Sequence, residues 1–222
     1  MNSSRPLLFL SAVASLIFLL VSPFISGDWL AVFKVASILL LAVLGFGVNK
    51  LLGTALTLGA LGDFLLGVPH LGRLDAEKLF LFGLGAFLVG HLVYIVMFRK
   101  YRLSQWWTPG FVRLIGILGI LVALGAVLAV LRESLGPLLI PVVAYALVLA
   151  GMAISALLAE LGNPLAAIGA LCFVASDAML AIGKFRGPFP GHEPLIWVTY
   201  YLAQLFILLG VIRCQSHPPV QP

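Results

Sequence analysis

Long apolar runs dominate this chain, and a run of about 20 apolar residues has few stable places to go. Eight such runs lie at about 7–25, 29–48, 51–68, 79–98, 111–131, 137–158, 163–182 and 194–212. Each is long enough to cross a bilayer as a helix, and eight spans of roughly 20 residues use about 160 residues. The loops must therefore be short, and no room is left for a separate soluble domain. Barrel strands would alternate over about 10 residues, which these near-continuous Leu/Ala/Val/Gly runs do not. The expectation is an all-α, polytopic membrane helical bundle with eight transmembrane helices, a single integral-membrane domain over residues 1–222.

Composition agrees. The chain is 62% hydrophobic and 9% charged, against roughly 45–50% and 25% in soluble domains. A cytosolic enzyme, a disordered chain and a nucleic-acid-binding module are all excluded. The net charge of +5 comes from 13 basic and 8 acidic residues. The basic residues are scattered between apolar runs, so they read as membrane flanks and not as a polyanion-binding patch.

Arg5 followed by Leu7–Val21 imitates a signal peptide, but no convincing small-x-small cleavage site follows, so the segment reads as an uncleaved first helix. An even number of spans puts both termini on one side. That side carries Arg5, Lys50, Arg99, Lys100, Arg102, Arg113 and Arg213, against Arg73, Lys78, Arg132, Lys184 and Arg186 on the other. The excess favours cytoplasmic termini. Trp106 and Trp107 beside the basic stretch from Arg99 read as interfacial anchors, and the Pro-rich tail His217–Pro222 as frayed. Cys172 and Cys214 form no disulfide or zinc motif. A 4+4 parallel internal repeat is suggested by one match: Asp63 near the end of helix 3 and Asp177 near the end of helix 7 share a leucine three residues on.

Charge at membrane depth costs a few kcal/mol and tends to be functional. Three charged residues fall there: Lys34, Asp63 and Asp177. Around them lie His91 and Tyr94 in helix 4, Tyr145 in helix 6, and Tyr200, Tyr201 and Gln204 in helix 8. Counting inward at about 1.5 Å per residue puts each aspartate some 8 Å from the far end of its helix, with the other groups at similar or slightly greater depth. One polar cavity, open toward the face opposite the termini, accounts for such a layer. Each member also has a plainer use. Lys34 can snorkel, an aspartate can form a structural pair with Lys34, and His91, the tyrosines and Gln204 can act as interhelical glue. Glu160 and Glu193 sit at span ends and read as solvated. Metal binding by Asp63, Asp177 and His91 has suitable atoms but no HxxxH or ExxH motif, so no metal is expected.

These motifs resemble the YhhN-like lysoplasmalogenases, eight-span membrane proteins. The resemblance rests on Gly62-Asp63 with Leu65-Leu66, Gly83-x-x-Ala86-Phe87 with His91-x-x-Tyr94, Pro141-Val-Val-Ala-Tyr145, Gly169-Ala-Leu with Phe173 and Ser176-Asp177, and Thr199-Tyr-Tyr-x-Ala-Gln204-Leu. They run in order over about two-thirds of the chain. Helix 2 departs: the family pattern has a proline near its lysine, whereas Val35-Ala36-Ser37 follows Lys34 here. The resemblance implies hydrolysis of the vinyl ether bond of lysoplasmalogens to a fatty aldehyde and glycerophosphocholine or glycerophosphoethanolamine, in a bacterial inner membrane or endoplasmic reticulum. The partners implied are a membrane lyso-lipid and water, with no cofactor.

The polar set suits that chemistry. A vinyl ether is protonated at its β carbon, giving an oxocarbenium ion that water attacks. A proton donor, a charge stabiliser and a base are needed, and two carboxylates can supply them. Asp63 and Asp177 are the expected acid/base pair, with Lys34 setting their asymmetry. His91, Tyr94, Tyr145, Tyr200, Tyr201 and Gln204 would position water and the polar end of the lipid. Competing readings are a proton-coupled small-molecule transporter, and a hydrolase or binding protein for a different lyso-lipid.

Overall fold

A computed structural model describes residues 4–22, 24, 30–68, 75–103, 105 and 110–216. Eight α-helices follow one another: α1 Ser4–Val21, α2 Leu30–Val48, α3 Lys50–Gly67, α4 Ala76–Arg99, α5 Phe111–Leu131, α6 Leu139–Leu157, α7 Leu165–Arg186 and α8 His192–Ser216. A short 3₁₀ turn, Gly136–Leu138, leads into α6. Among the described residues there are no strands, only an isolated bridge between Arg102 and Ala159. Trp106, Trp107, Arg73 and the His217–Pro222 tail lie outside the described residues.

Among the described residues seven helices, α2 to α8, are long and apolar enough to cross a bilayer, α6 together with its 3₁₀ lead-in. The chain is a multi-pass membrane protein. Their outer faces carry large apolar side chains, among them Val112 at 81% exposure and Ile140 at 80%, a surface suited to lipid and not to water. The first helix lies closer to the N-terminus than expected, starting at Ser4 and ending at Val21. Its apolar part, Arg5–Val21, stops four residues before the anticipated end at 25, because the sequence places Pro23 two residues beyond Val21 and a residue before proline avoids helical geometry.

Two compact units divide the chain, Met1–Tyr94 and Ile95–Pro222. In the first, α2 and α3 form a tight hairpin joined by Asn49 alone. Its side chain accepts a hydrogen bond from Leu51 N at 2.9 Å and so caps α3. Gly45 and Gly53 let the two backbones meet: a Cβ on Gly45 would lie 3.0 Å from Gly53 N. α1 joins through buried hydroxyls, with Ser11 Oγ donating to Ser37 O at 2.7 Å. Asp75 caps α4 by accepting from Lys78 N at 2.9 Å, and also meets the Lys78 ammonium at 3.0 Å.

In the second unit α7 and α8 make the most extensive pair. A methyl on Gly169 would stand 2.7 Å from Ala203 O, so glycine is required there for the helices to pack backbone to backbone. Asn163 ties the start of α7 to the end of α8: its side chain accepts from Leu165 N at 3.2 Å and donates to Gly210 O at 3.1 Å. At the other end of α7, Arg186 donates to Val130 O with Nη2 at 2.6 Å and Nε at 3.0 Å, covering a carbonyl that the end of α5 leaves open.

Candidate active site

Lys34 is the fifth residue of α2 and Asp63 lies four residues before the end of α3. A tight antiparallel hairpin brings those two positions level. Lys34 Nζ sits 3.1 Å from Asp63 Oδ1, with the aspartate side chain 2% exposed and the lysine 20%. Lys34 thus pairs with Asp63, the contact that both the counter-charge and the structural-pair readings require. No proline interrupts α2 here. Ser37 Oγ donates instead to the Lys34 carbonyl at 2.7 Å, a side-chain bond back along the helix. Ser11 and Ser37 thus support the lysine from behind, and hydropathy gave them no mark.

His91 and Tyr94 share one face of α4 and are both about 1% exposed. The register between α3 and α4 follows from Gly62 lying against the Phe87 ring and Gly83 against Leu66. Asp63 is therefore level with about residue 86, and His91 lies about five residues further along α4, roughly 7–8 Å deeper.

In the second unit the Tyr145 hydroxyl donates a hydrogen bond to Asp177 Oδ2. Tyr145 is the seventh residue of α6, and Asp177 stands nine residues before the end of α7. Asp177 is thus further from its helix end than the five residues expected, because Gly183 and Lys184 do not stop the helix. It runs on to Gly187, whose φ of 102° breaks it. Ser176 Oγ donates to Ile196 O at 3.0 Å and fixes the helical face beside Asp177 against α8. One turn beyond the pair, Leu131, Leu135 and Val142 form a buried apolar cluster with Ala181, Ile182 and Phe185 around it. Within this unit, apolar packing occupies the end at which an open polar mouth was expected.

Tyr200, Tyr201 and Gln204 are all buried on α8. Gln204 Nε2 donates to the Tyr200 hydroxyl at 3.1 Å, one turn apart. The Phe173 ring meets Tyr200 edge-on at 5.3 Å, and Trp197 lies 5.7 Å from Tyr200 and 6.1 Å from Tyr201. Trp197, 2% exposed, packs beside both tyrosines and was absent from the residues singled out in the sequence. A tryptophan near a span end reads equally well as an interfacial anchor, which is why it gave no signal. Among the described residues, no three His, Cys, Asp or Glu side chains cluster in a way that would hold a metal ion.

Two pairs thus stand out, one in each unit. Asp63 faces a cation and Asp177 faces a phenol. The YhhN family profile matches residues 29–211. The chain belongs to the YhhN family. It is 38% identical over 161 residues to proteins named lysoplasmalogenase from Mycobacterium bovis and Mycobacterium tuberculosis, covering 70% of this chain and 58% of each relative. It is 36% identical over 168 residues to lysoplasmalogenase TMEM86B of Homo sapiens, covering 75% of this chain and 66% of that protein. With the Mus musculus TMEM86B the identity is 32% over 206 residues, 90% of this chain and 83% of the relative. The matched region spans little more than half the length of the mycobacterial relatives. No solved structure matches.

Proposed function

We propose that this YhhN-family protein is a lysoplasmalogenase, hydrolysing the vinyl ether bond of a membrane lyso-lipid with water as co-substrate. Membership of the family, and relatives that carry that name, support the substrate class. The observation that carries the mechanism is the unlike surroundings of the two aspartates: Lys34 Nζ is 3.1 Å from Asp63, while the Tyr145 hydroxyl donates to Asp177. Unlike surroundings let two carboxylates take different roles. In this reading Asp63, held beside the Lys34 ammonium, acts as the base, and Asp177, held by Tyr145 on one oxygen, acts as the acid through the other.

The reaction then runs in three steps. Asp177 protonates the β carbon of the alkenyl chain, and the double-bond electrons leave an oxocarbenium ion at the ether carbon. Asp63 stabilises that cation and takes a proton from the attacking water, as in other two-carboxylate sites with oxocarbenium-like transition states. The resulting hemiacetal collapses to a fatty aldehyde and the glycerophospho alcohol, with Asp177 taking back the hydroxyl proton and Asp63 giving its proton to the leaving glycerol oxygen. His91, Tyr94, Tyr200, Tyr201 and Gln204 order water and the polar end of the lipid. The termini face the cytoplasm. Helices α2, α3 and α7 run unbroken through Lys34, Asp63 and Asp177, unlike the interrupted helices that form many carrier sites, which supports an enzyme over a transporter.

Turnover of lysoplasmenylethanolamine in heavy water, with immediate borohydride reduction of the product, tests the route. Protonation at carbon places one deuterium on the carbon next to the aldehyde. Cleavage without aldehyde, or an aldehyde without that deuterium, would refute it.

A further inference from the structure

A cavity lies in the unit formed by Ile95–Pro222, away from the Tyr145–Asp177 pair. It measures about 220 Å³ and is lined by Phe98, Arg99, Arg102, Ser155 and Leu158. Ser155 is ten residues along α6 from Tyr145, about 15 Å by helical rise. The volume corresponds to about seven waters, room for a phosphate and the first atoms attached to it. We propose that this cavity takes the phosphate group of an anionic phospholipid from the surrounding bilayer.

Three features support this. The lining is two-natured: two guanidiniums, which suit phosphate oxygens in bidentate geometry, stand beside the apolar walls of Phe98 and Leu158. The Ser155 hydroxyl is turned back on its own helix, donating to Gly151 O at 2.7 Å, so cationic donors dominate what the cavity offers. The frame is also fixed. Leu103 N donates to Leu158 O at 3.0 Å and Glu160 N to Tyr101 O at 2.6 Å, with the Arg102–Ala159 bridge between them. The chain after α4 is thereby stitched to the chain after α6, which presents Arg102 beside Arg99. Finally, the cavity sits at the C-terminal ends of two apolar spans, α4 and α6, the level at which lipid phosphates lie and basic pockets between helices hold anionic headgroups. Residues 99–113 contain four basic side chains and no acidic one. Glu160, exposed and anchored to this frame through its backbone, is the acid that would oppose an anion there.

The test is native mass spectrometry of the full chain released from micelles containing equal phosphatidylglycerol and phosphatidylcholine. Wild type should retain one phosphatidylglycerol in preference to phosphatidylcholine. The double variant Arg99→Gln/Arg102→Gln should bind it about 10-fold or more weakly, the scale of losing charge-assisted hydrogen bonds. Glu160→Gln should bind at least as tightly as wild type. If the double variant does not fold, each single substitution should still weaken retention while leaving the gel-filtration profile unchanged. Equal retention of both lipids by wild type, or undiminished retention by the arginine variants, would overturn the proposal. So would displacement of the lipid by millimolar inorganic phosphate, which would make free phosphate the ligand.

Discussion

Lys34 on α2 and Asp63 on α3 form a 3.1 Å ion pair in which the aspartate is almost wholly buried. Asn49 sets the register that makes this contact, and Ser37 braces the lysine's own backbone. Removing one partner of such a pair leaves an uncompensated charge, at a cost of about 3–5 kcal/mol. Lys34→Met should therefore lower the unfolding midpoint in detergent sharply. Asp63→Asn on top of it should recover part of the loss. Equal midpoints for Lys34→Met and wild type would mean that the pair does not stabilise the hairpin.

Tyr145 is expected to matter through Asp177. Tyr145→Phe keeps the ring and removes the donor, and a single intramolecular hydrogen bond contributes about 0.5–1.5 kcal/mol. If Tyr145 orders the acid, kcat should fall about 2- to 10-fold while KM changes little. A rise in KM at constant kcat would instead make Tyr145 a substrate-binding group.

The Ser11–Ser37 bond should be a minor contributor. Interhelical hydrogen bonds between membrane helices average about 0.6 kcal/mol, with a ceiling near 1.7. Ser11→Ala should shift the unfolding midpoint only slightly and leave turnover intact. A collapse of activity would show that α1 supports Lys34 more directly than the 2.7 Å bond to Ser37 O suggests.

Gly169 should tolerate nothing larger. A Cβ there would fall 2.7 Å from the Ala203 carbonyl, and backbone cannot move aside as a flexible side chain can. Gly169→Val should cost at least the 1–3 kcal/mol of overpacking and reduce the yield of folded protein. A Gly169→Val variant with wild-type yield and midpoint would contradict the close α7–α8 contact.

Asp75 gives a pH-dependent prediction outside the apolar spans. The hydrogen bonds it accepts from Lys78 N and the Lys78 ammonium hold its carboxyl below the ordinary 3.8. A depressed folded value means that its stabilising contribution is complete above the unfolded value and is lost as pH falls through the folded one. Hydrogen-exchange protection at the start of α4, taken relative to the intrinsic exchange rate at each pH, should fall below about pH 4 in wild type. Asp75→Ala should show that lower protection already at neutral pH. Identical exchange in the two proteins at neutral pH would count against the cap.

Much of the fold was legible because apolar run length is a strong signal: α5 occupies 111–131 as read from the sequence. Helix ends were less legible where polar residues continue the helix. α7 passes Lys184 to reach Arg186, since Arg186 spends its charge on Val130 O and only the positive φ of Gly187 forces a stop. The site residues could be named from their rarity, but not all their partners. Tyr145 and Asp177 are 32 residues apart on different helices, and no spacing rule pairs them. Lys34 could have served either aspartate until the α2–α3 register decided it. Ser37 and Trp197 stayed hidden because serines and tryptophans have ordinary structural uses in membrane helices.

The central claim is that Asp63 and Asp177 together carry out vinyl ether hydrolysis. The most direct measurement is aldehyde release from lysoplasmenylethanolamine by purified wild type, Asp63→Asn and Asp177→Asn, each verified as folded. Wild type should release aldehyde and glycerophosphoethanolamine in equal amounts, and each variant should lose at least about 10²-fold in turnover, the scale of one acid–base group. Near-normal turnover in both folded variants would contradict the account.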